Sequence, residues 1–127
     1  MLVAASFIIL LVSVSFYIYI KRLHHSLSYI QAVEQHVREG RLDDAIVILK
    51  NTLSKNPQNA EAHFALGIIN NKKDLLDDAL VELETALKIN PGLVSIYQEL
   101  YLVYKKKGLE SEAKNALDAY ERLKGSK

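Results

Sequence analysis

Apolar and polar positions follow two different rules along this chain. From Leu2 to Ile20 there is no alternation: the whole run is free of charge, Gly and Pro, and only Ser6, Ser13 and Ser15 are clearly polar. At about 1.5 Å per residue a helix of this length spans roughly 28 Å, close to the ~30 Å hydrocarbon core of a bilayer. Its own carbonyls can satisfy the serine hydroxyls. Beyond this run the apolar residues recur at helical spacing, in segments parted by short polar breaks. The pattern predicts helices at about Ser26–Glu39, Leu42–Lys55, Ala60–Lys73 and Leu76–Ile89, followed by a third pair.

These segments repeat. The only two prolines, Pro57 and Pro91, bracket one unit, and shifting the chain by the distance between them, in either direction, brings columns into line. Tyr29, His63 and Tyr97 share one column; Ala32, Leu66 and Leu100 the next; then Val33, Gly67 and Tyr101, and His36, Asn70 and Tyr104. In the second helix of each pair Ala45, Ala79 and Ala113 are identical, as are Leu49, Leu83 and Leu117. Thr52, Ala86 and Tyr120 follow, and Pro57, Pro91 and Gly125 close the units. A helix pair this small cannot bury its apolar face alone and must stack on copies of itself.

The middle unit, through Leu66, Gly67, Ala79, Leu83, Ala86 and Pro91, resembles the tetratricopeptide repeat (TPR) family, and the outer units keep the turn glycines Gly40 and Gly108. It departs from the family pattern at His63, Asn70 and Asp74. The resemblance implies a right-handed α-solenoid of three helix-turn-helix repeats, so that with the N-terminal transmembrane helix read from the apolar run the expected fold is all-α. The units expected are 1–22 as anchor with a basic stop, 23–25 as tether, and repeats at 26–59, 60–93 and 94–127. Asp43 and Asp44, Asp77 and Asp78, and Glu110 and Glu112 then open each second helix, where the helix dipole favours anions. In the last helix Ala113, Ala116, Leu117, Tyr120 and Leu123 are expected to face inward. Glu112, Asn115, Asp118 and Arg122 are expected to face water and to finish the array.

The N-terminal run lacks the basic n-region and small-residue cleavage site of a signal peptide, and it lacks the polar stripe of a buried core helix. It is therefore expected to be a retained anchor across residues 2–20. Tyr17 and Tyr19 lie at the bilayer interface in this reading, and Lys21 and Arg22 mark its end. No Lys or Arg precedes the span, so the positive-inside rule places the repeats in the cytoplasm, on a single-pass protein of the cell (inner) membrane. A short span, a basic stop and immediate repeats resemble the layout of bacterial lipopolysaccharide assembly regulators. Their C-terminal metal-binding module has paired cysteines, and this chain has none.

Composition narrows the chemistry. A formal net charge of +1 argues against nucleic acid as a partner, and the absence of Cys excludes disulfides, thiolate metal sites and thiol catalysis. His24, His25, His36 and His63 make no metal-ligand spacing. There is no phosphate-binding glycine loop and no nucleophile elbow. No cofactor and no enzymatic activity are expected.

What remains is the concave groove that the resemblance implies along the first helices of the repeats. Its expected partner-binding residues are Ile30, Glu34 and Arg38, then Phe64, Ile68, Asn71 and Lys72, then Gln98, Leu102, Lys105 and Lys106. Leu27, Val37, Glu61 and Ser95 extend the lining. Apolar residues on such a face suit a peptide held in pockets with a polar rim. The column Arg38, Lys72 and Lys106, with Lys73, Lys105 and Lys107 beside it, is either a basic ladder for an acidic peptide or the normal preference of cations for helix C-termini. Tyr97, Tyr101 and Tyr104 are spaced to pack in the core.

The function expected is a non-catalytic adaptor or scaffold, binding a protein or peptide partner at the membrane surface. The alternatives are a self-associating homo-oligomeric scaffold and an extracytoplasmic assembly chaperone of the cytochrome-maturation type. Topology separates the last from the first. A reporter fused after Lys127 is expected to be active in the form that works only in the cytoplasm, and activity of an export-dependent reporter would favour the chaperone.

Overall fold

The computed structural model describes residues 1–126, and of His25 and Ser26 the backbone only. It contains α1 (Leu2–Arg38), α2 (Leu42–Lys55), α3 (Ala60–Lys72), α4 (Leu76–Ile89), α5 (Ser95–Lys107) and α6 (Glu110–Lys124), with no strand among the described residues. The side chains of His25 and Ser26, and Lys127 at the end of the third unit, lie outside the described residues.

The first helix differs from expectation in length. No Gly or Pro occurs before Gly40, so nothing interrupts the hydrogen-bond ladder, and α1 runs 37 residues from Leu2 to Arg38. The tether expected at 23–25 is helical. At about 1.5 Å per residue α1 is roughly 55 Å long. Its first half stands clear of the rest of the molecule, and it is long and apolar enough to cross a membrane by length and composition. Ser6 and Ser13 hydroxyls donate to the carbonyls of Leu2 and Ile9, one turn back, at 2.9 and 2.8 Å.

One turn, made three times, folds each helix pair. Gly40, Asp74 and Gly108 hold φ of +73°, +58° and +72°. After each of them the next amide (Arg41, Leu75, Leu109) donates back to a carbonyl in the last turn of the helix (His36, Asn70, Tyr104), at 2.9 Å in all three turns. This is the Schellman arrangement, which consumes carbonyls that a helix end leaves open. Asp74 occupies the left-handed region where its neighbours use Gly. A short polar side chain can do so at a cost that a longer or β-branched one would exceed.

Packing then runs between repeats. One core joins repeats one and two through Val33, Ala45, Leu49, Ala62, Leu66 and Ile69. The other joins repeats two and three through Ala79, Leu83, Ala86, Ile96, Leu100, Val103 and Ala116, with Tyr101 and Tyr104 packed against it. The outer face of each end of the stack is polar where inner repeats are apolar. Ser28 and Gln35 are exposed, while Ala62, Ile69, Ile96 and Val103, one and two repeats further on, are buried. At the other end Lys114 and Glu121 are exposed where Leu80 and Leu87 are partly buried.

Leu117 departs from the expected inward position. Leu49 and Leu83 in its column are fully buried, yet Leu117 is 37% exposed. The earlier two leucines are covered by the first helix of the following repeat, and among the described residues no such helix packs over α6.

Gly67 leaves no room for a side chain where α3 meets α4. A Cβ there would meet Leu83 Cγ and Cδ2 at 2.7 Å, and Leu83 is fully buried. Gly67→Ala is expected to destabilise by about 1–3 kcal/mol through overpacking. Asp74→Gly is expected to act in the opposite direction, by up to about 1 kcal/mol, because it relieves the left-handed conformation. Chemical denaturation of the two variants checks both signs.

Candidate functional site

The cleft lies where α1 and α3 run side by side on the inner face of the first two repeats. Val33, Glu34, Val37 and Arg38 form one wall, and Ala65, Ile68, Ile69 and Lys72 the other, around about 340 Å³. Its floor is aliphatic, and its only charged groups are Glu34, Arg38 and Lys72. Arg38 and Lys72 occupy the same turn of successive repeats, at the C-terminal ends of their helices. There the unsatisfied carbonyls favour cations. Neither cation, nor Glu34, has an ion-pair partner among the described residues.

The other cations of the basic column are engaged elsewhere. Lys73 pairs with Asp43, and Lys107 pairs with Asp77. Both pairs join the end of one repeat's first helix to the first turn of the preceding repeat's second helix, so each acid serves the helix dipole and also links neighbouring repeats. Lys105 bonds both oxygens of Glu110 at 2.9 and 2.8 Å. Lys106 donates to the Asn71 carbonyl and to Asp74 Oδ1, each at 3.1 Å. The column is thus no uniform ladder: among the described residues its unpaired cations are Arg38 and Lys72, at the cleft.

The expected groove residues separate accordingly. Glu34, Arg38, Ile68 and Lys72 meet in the cleft, together with Val33, Val37, Ala65 and Ile69. Ile30 is half-buried one turn below on α1. Phe64 packs against the core between repeats two and three. Asn71 is buried, with an Oδ1 that meets no donor among the described residues. Gln98 and Leu102 are exposed on α5 outside the cleft. Tyr17, Tyr19, Lys21 and Arg22 are exposed on α1. Ala65 and Ile69 carried no separate signal, since Ala and Ile at these spacings read as core; Ile69 is indeed buried there, at the foot of the cleft, and Ala65 is half-buried.

His63, in a column otherwise holding Tyr, is a structural bridge: Nδ1 lies 2.6 Å from Glu82 Oε2 and Nε2 lies 3.0 Å from the Pro57 carbonyl. The matching residue Tyr29 receives a hydrogen bond from Asn59 Nδ2 at 3.3 Å, while Asn59 Oδ1 caps α3 by accepting from the Ala62 amide at 3.0 Å. No group of three or more metal-ligating side chains occurs among the described residues.

A profile for the tetratricopeptide repeat matches residues 36–101, just over half of the chain. The chain belongs to the TPR family. Solved structures share the TPR fold. A crystal structure of MamA is 25% identical with a TM-score of 0.72, covering 76% of this chain and 56% of that one. A second MamA structure, AMB-1, is 20% identical with a TM-score of 0.70, covering 78% and 54%. A chain of a CopN–Scc3 complex is 15% identical with a TM-score of 0.72, covering 78% and 58%. The chain therefore spans little more than half the length of these structures. No curated protein sequence matches it.

Shifted titrations fall on scaffold residues outside the cleft. Burial pushes the Tyr29 phenol up, against the hydrogen bond from Asn59. Burial also raises Tyr104, and the Glu84 carboxylate adds to the effect. The hydrogen bond to Glu110 raises Lys105. All three hold their protons more tightly folded than unfolded, so the stability they contribute is complete below their unfolded pKa values, about 10, and is lost as pH rises through the folded ones. Thermal unfolding of the full chain is expected to weaken above about pH 10. Tyr29→Phe with Tyr104→Phe should make that decline shallower; an unchanged slope would remove the two phenols from this account.

Proposed function

We infer that this chain is a membrane-anchored TPR scaffold that holds a protein partner in the cleft between its first two repeats. In this reading residues 2–20 cross the bilayer, with Tyr17 and Tyr19 at its interface. Lys21 and Arg22 keep the repeats on the cytoplasmic side. The observation that carries it is the cleft itself: half-buried Val37, Ala65 and Ile68 over buried Val33 and Ile69, bordered by two cations, Arg38 and Lys72, that no carboxylate among the described residues neutralises. Solvated faces have no need of such a floor, and an apolar segment with an adjoining acidic group would satisfy both features.

The action is binding. The anchor confines the search to two dimensions and raises the local concentration of a partner at the same membrane, so a small cleft of modest affinity suffices. Rim cations add steering and register more than affinity. CopN–Scc3 is itself a protein complex, which accords with a protein as the occupant.

A photoreactive residue in place of Ile68 is expected to give discrete protein adducts in native membranes, whereas one in place of Val81, exposed on α4, gives none. Arg38→Glu with Lys72→Glu should lower the Ile68 yield several-fold. Equal labelling from both positions would overturn the reading.

A further inference from the structure

His63 is engaged through both of its ring nitrogens. Nε2 lies 3.0 Å from the carbonyl oxygen of Pro57, in the connection between α2 and α3, and Nδ1 lies 2.6 Å from Glu82 Oε2 on α4. A carbonyl oxygen only accepts, so Nε2 must donate to Pro57. An ionised carboxylate also only accepts, so Nδ1 must donate to Glu82, yet a neutral imidazole has a single N–H to give. Both bonds together therefore need one proton more than a neutral histidine beside an ionised glutamate carries. The side chains are only 15% and 23% exposed, so water is largely kept from standing in for either bond.

We propose that His63 is a proton-dependent brace at the joint between the first two repeats. As imidazolium it ties the α2–α3 connection and α4 to α3; once it loses a proton, either tautomer turns a lone pair on one of its two oxygen partners. The extra proton belongs on the ring, because imidazole charges near pH 6.5 and a carboxyl group only near about pH 4. The matching residue of repeat one has no such requirement: Tyr29 meets Asn59 through a phenol, which gives and receives hydrogen bonds while neutral. Other charged groups border the Glu82 side of the bridge. Lys50 of α2 lines the same pocket and disfavours a further positive charge, Asp78, one turn earlier on α4, favours it, and Lys73 of α3 is paired with Asp43 of α2. On α3 itself Glu61 is exposed two residues before His63. None of these is an ion-pair partner of His63 or Glu82 among the described residues, whereas the two bridge bonds are direct.

The brace bears on the cleft without depending on what the cleft binds. Asn59, two residues beyond Pro57, caps α3 through the Ala62 amide, and α3 supplies Ala65, Ile68 and Lys72 to the cleft wall. The folded chain takes up the proton, so the stability contributed by the bridge is complete where free histidine is charged, below about pH 6.5, and is lost as pH rises.

Thermal unfolding of the full chain at pH 6 and pH 8.5 tests this. The melting temperature is expected to fall by about 5 °C at the higher pH. Glu82→Gln supplies an amide N–H that can donate to a neutral Nδ1, so in this variant most of that difference should vanish; His24, His25 and His36 are common to both chains and cancel in the comparison. The imidazole nitrogen resonances of the labelled wild-type chain give a second measurement, which needs no folded variant. The His63 ring is expected to keep both N–H protons to a higher pH than exposed His24 does. An equal pH dependence of melting in the two chains, or a His63 ring that loses its second proton at or below the pH where His24 does, overturns the proposal.

Discussion

Everything in this molecule depends on the fact that a single helix pair has more apolar surface than it can cover by itself. Ala45 and Leu49 are covered in part by Val33 of their own repeat, and Ala62, Leu66 and Ile69 of the next repeat complete the same core. Ala79, Leu83 and Ala86 stand in the same relation to Ile96, Leu100 and Val103. Cores therefore sit at the joints between repeats, and the stack is stabilised by nearest neighbours. Leu117 shows the rule by its exception, since the same residue at the same register is exposed where no described helix covers it.

That constraint also creates the cleft. Two first helices joined by a shared core leave a trough between them, lined by core residues such as Val33 and Ile69 and by half-buried Val37, Ala65 and Ile68. The repeat geometry places successive helix C-termini next to each other, so cations favoured singly by each helix dipole become neighbours. Three of them are then neutralised by acids of the adjacent repeat, Lys73 by Asp43, Lys106 by Asp74 and Lys107 by Asp77, and Lys105 by Glu110 of its own repeat. Arg38 and Lys72 stand apart from that pairing, which sets the proposed binding surface apart from the routine electrostatics of helix ends.

The unbroken α1 adds a mechanical element. A repeat joined to its apolar leader by a flexible linker would sample many orientations, whereas here the same helix that supplies a wall of the cleft continues through Leu23 to Leu2. Under the proposed anchoring, the cleft is held at a set height and bearing relative to the bilayer.

Most of the fold was legible in the sequence, because it follows from local rules. The repeat period, the left-handed turn residues and the apolar leader are properties of short stretches of chain, and the bounds of α2 and α4 coincide with those read from periodicity. The site was legible only in part. A repeating column of Arg38, Lys72 and Lys106 looks uniform along the chain, yet Lys106 reaches the Asn71 carbonyl and Asp74 in the preceding repeat. Phe64 and Asn71 look like groove residues by register, and packing buries them in whole or in part. The sequence by itself determined which residues each helix would present and how often the pattern would recur, since those depend on backbone geometry and spacing. Only the tertiary structure decided which of the presented residues stay open, because exposure and ion pairing arise between side chains a whole repeat apart that meet only when the repeats stack.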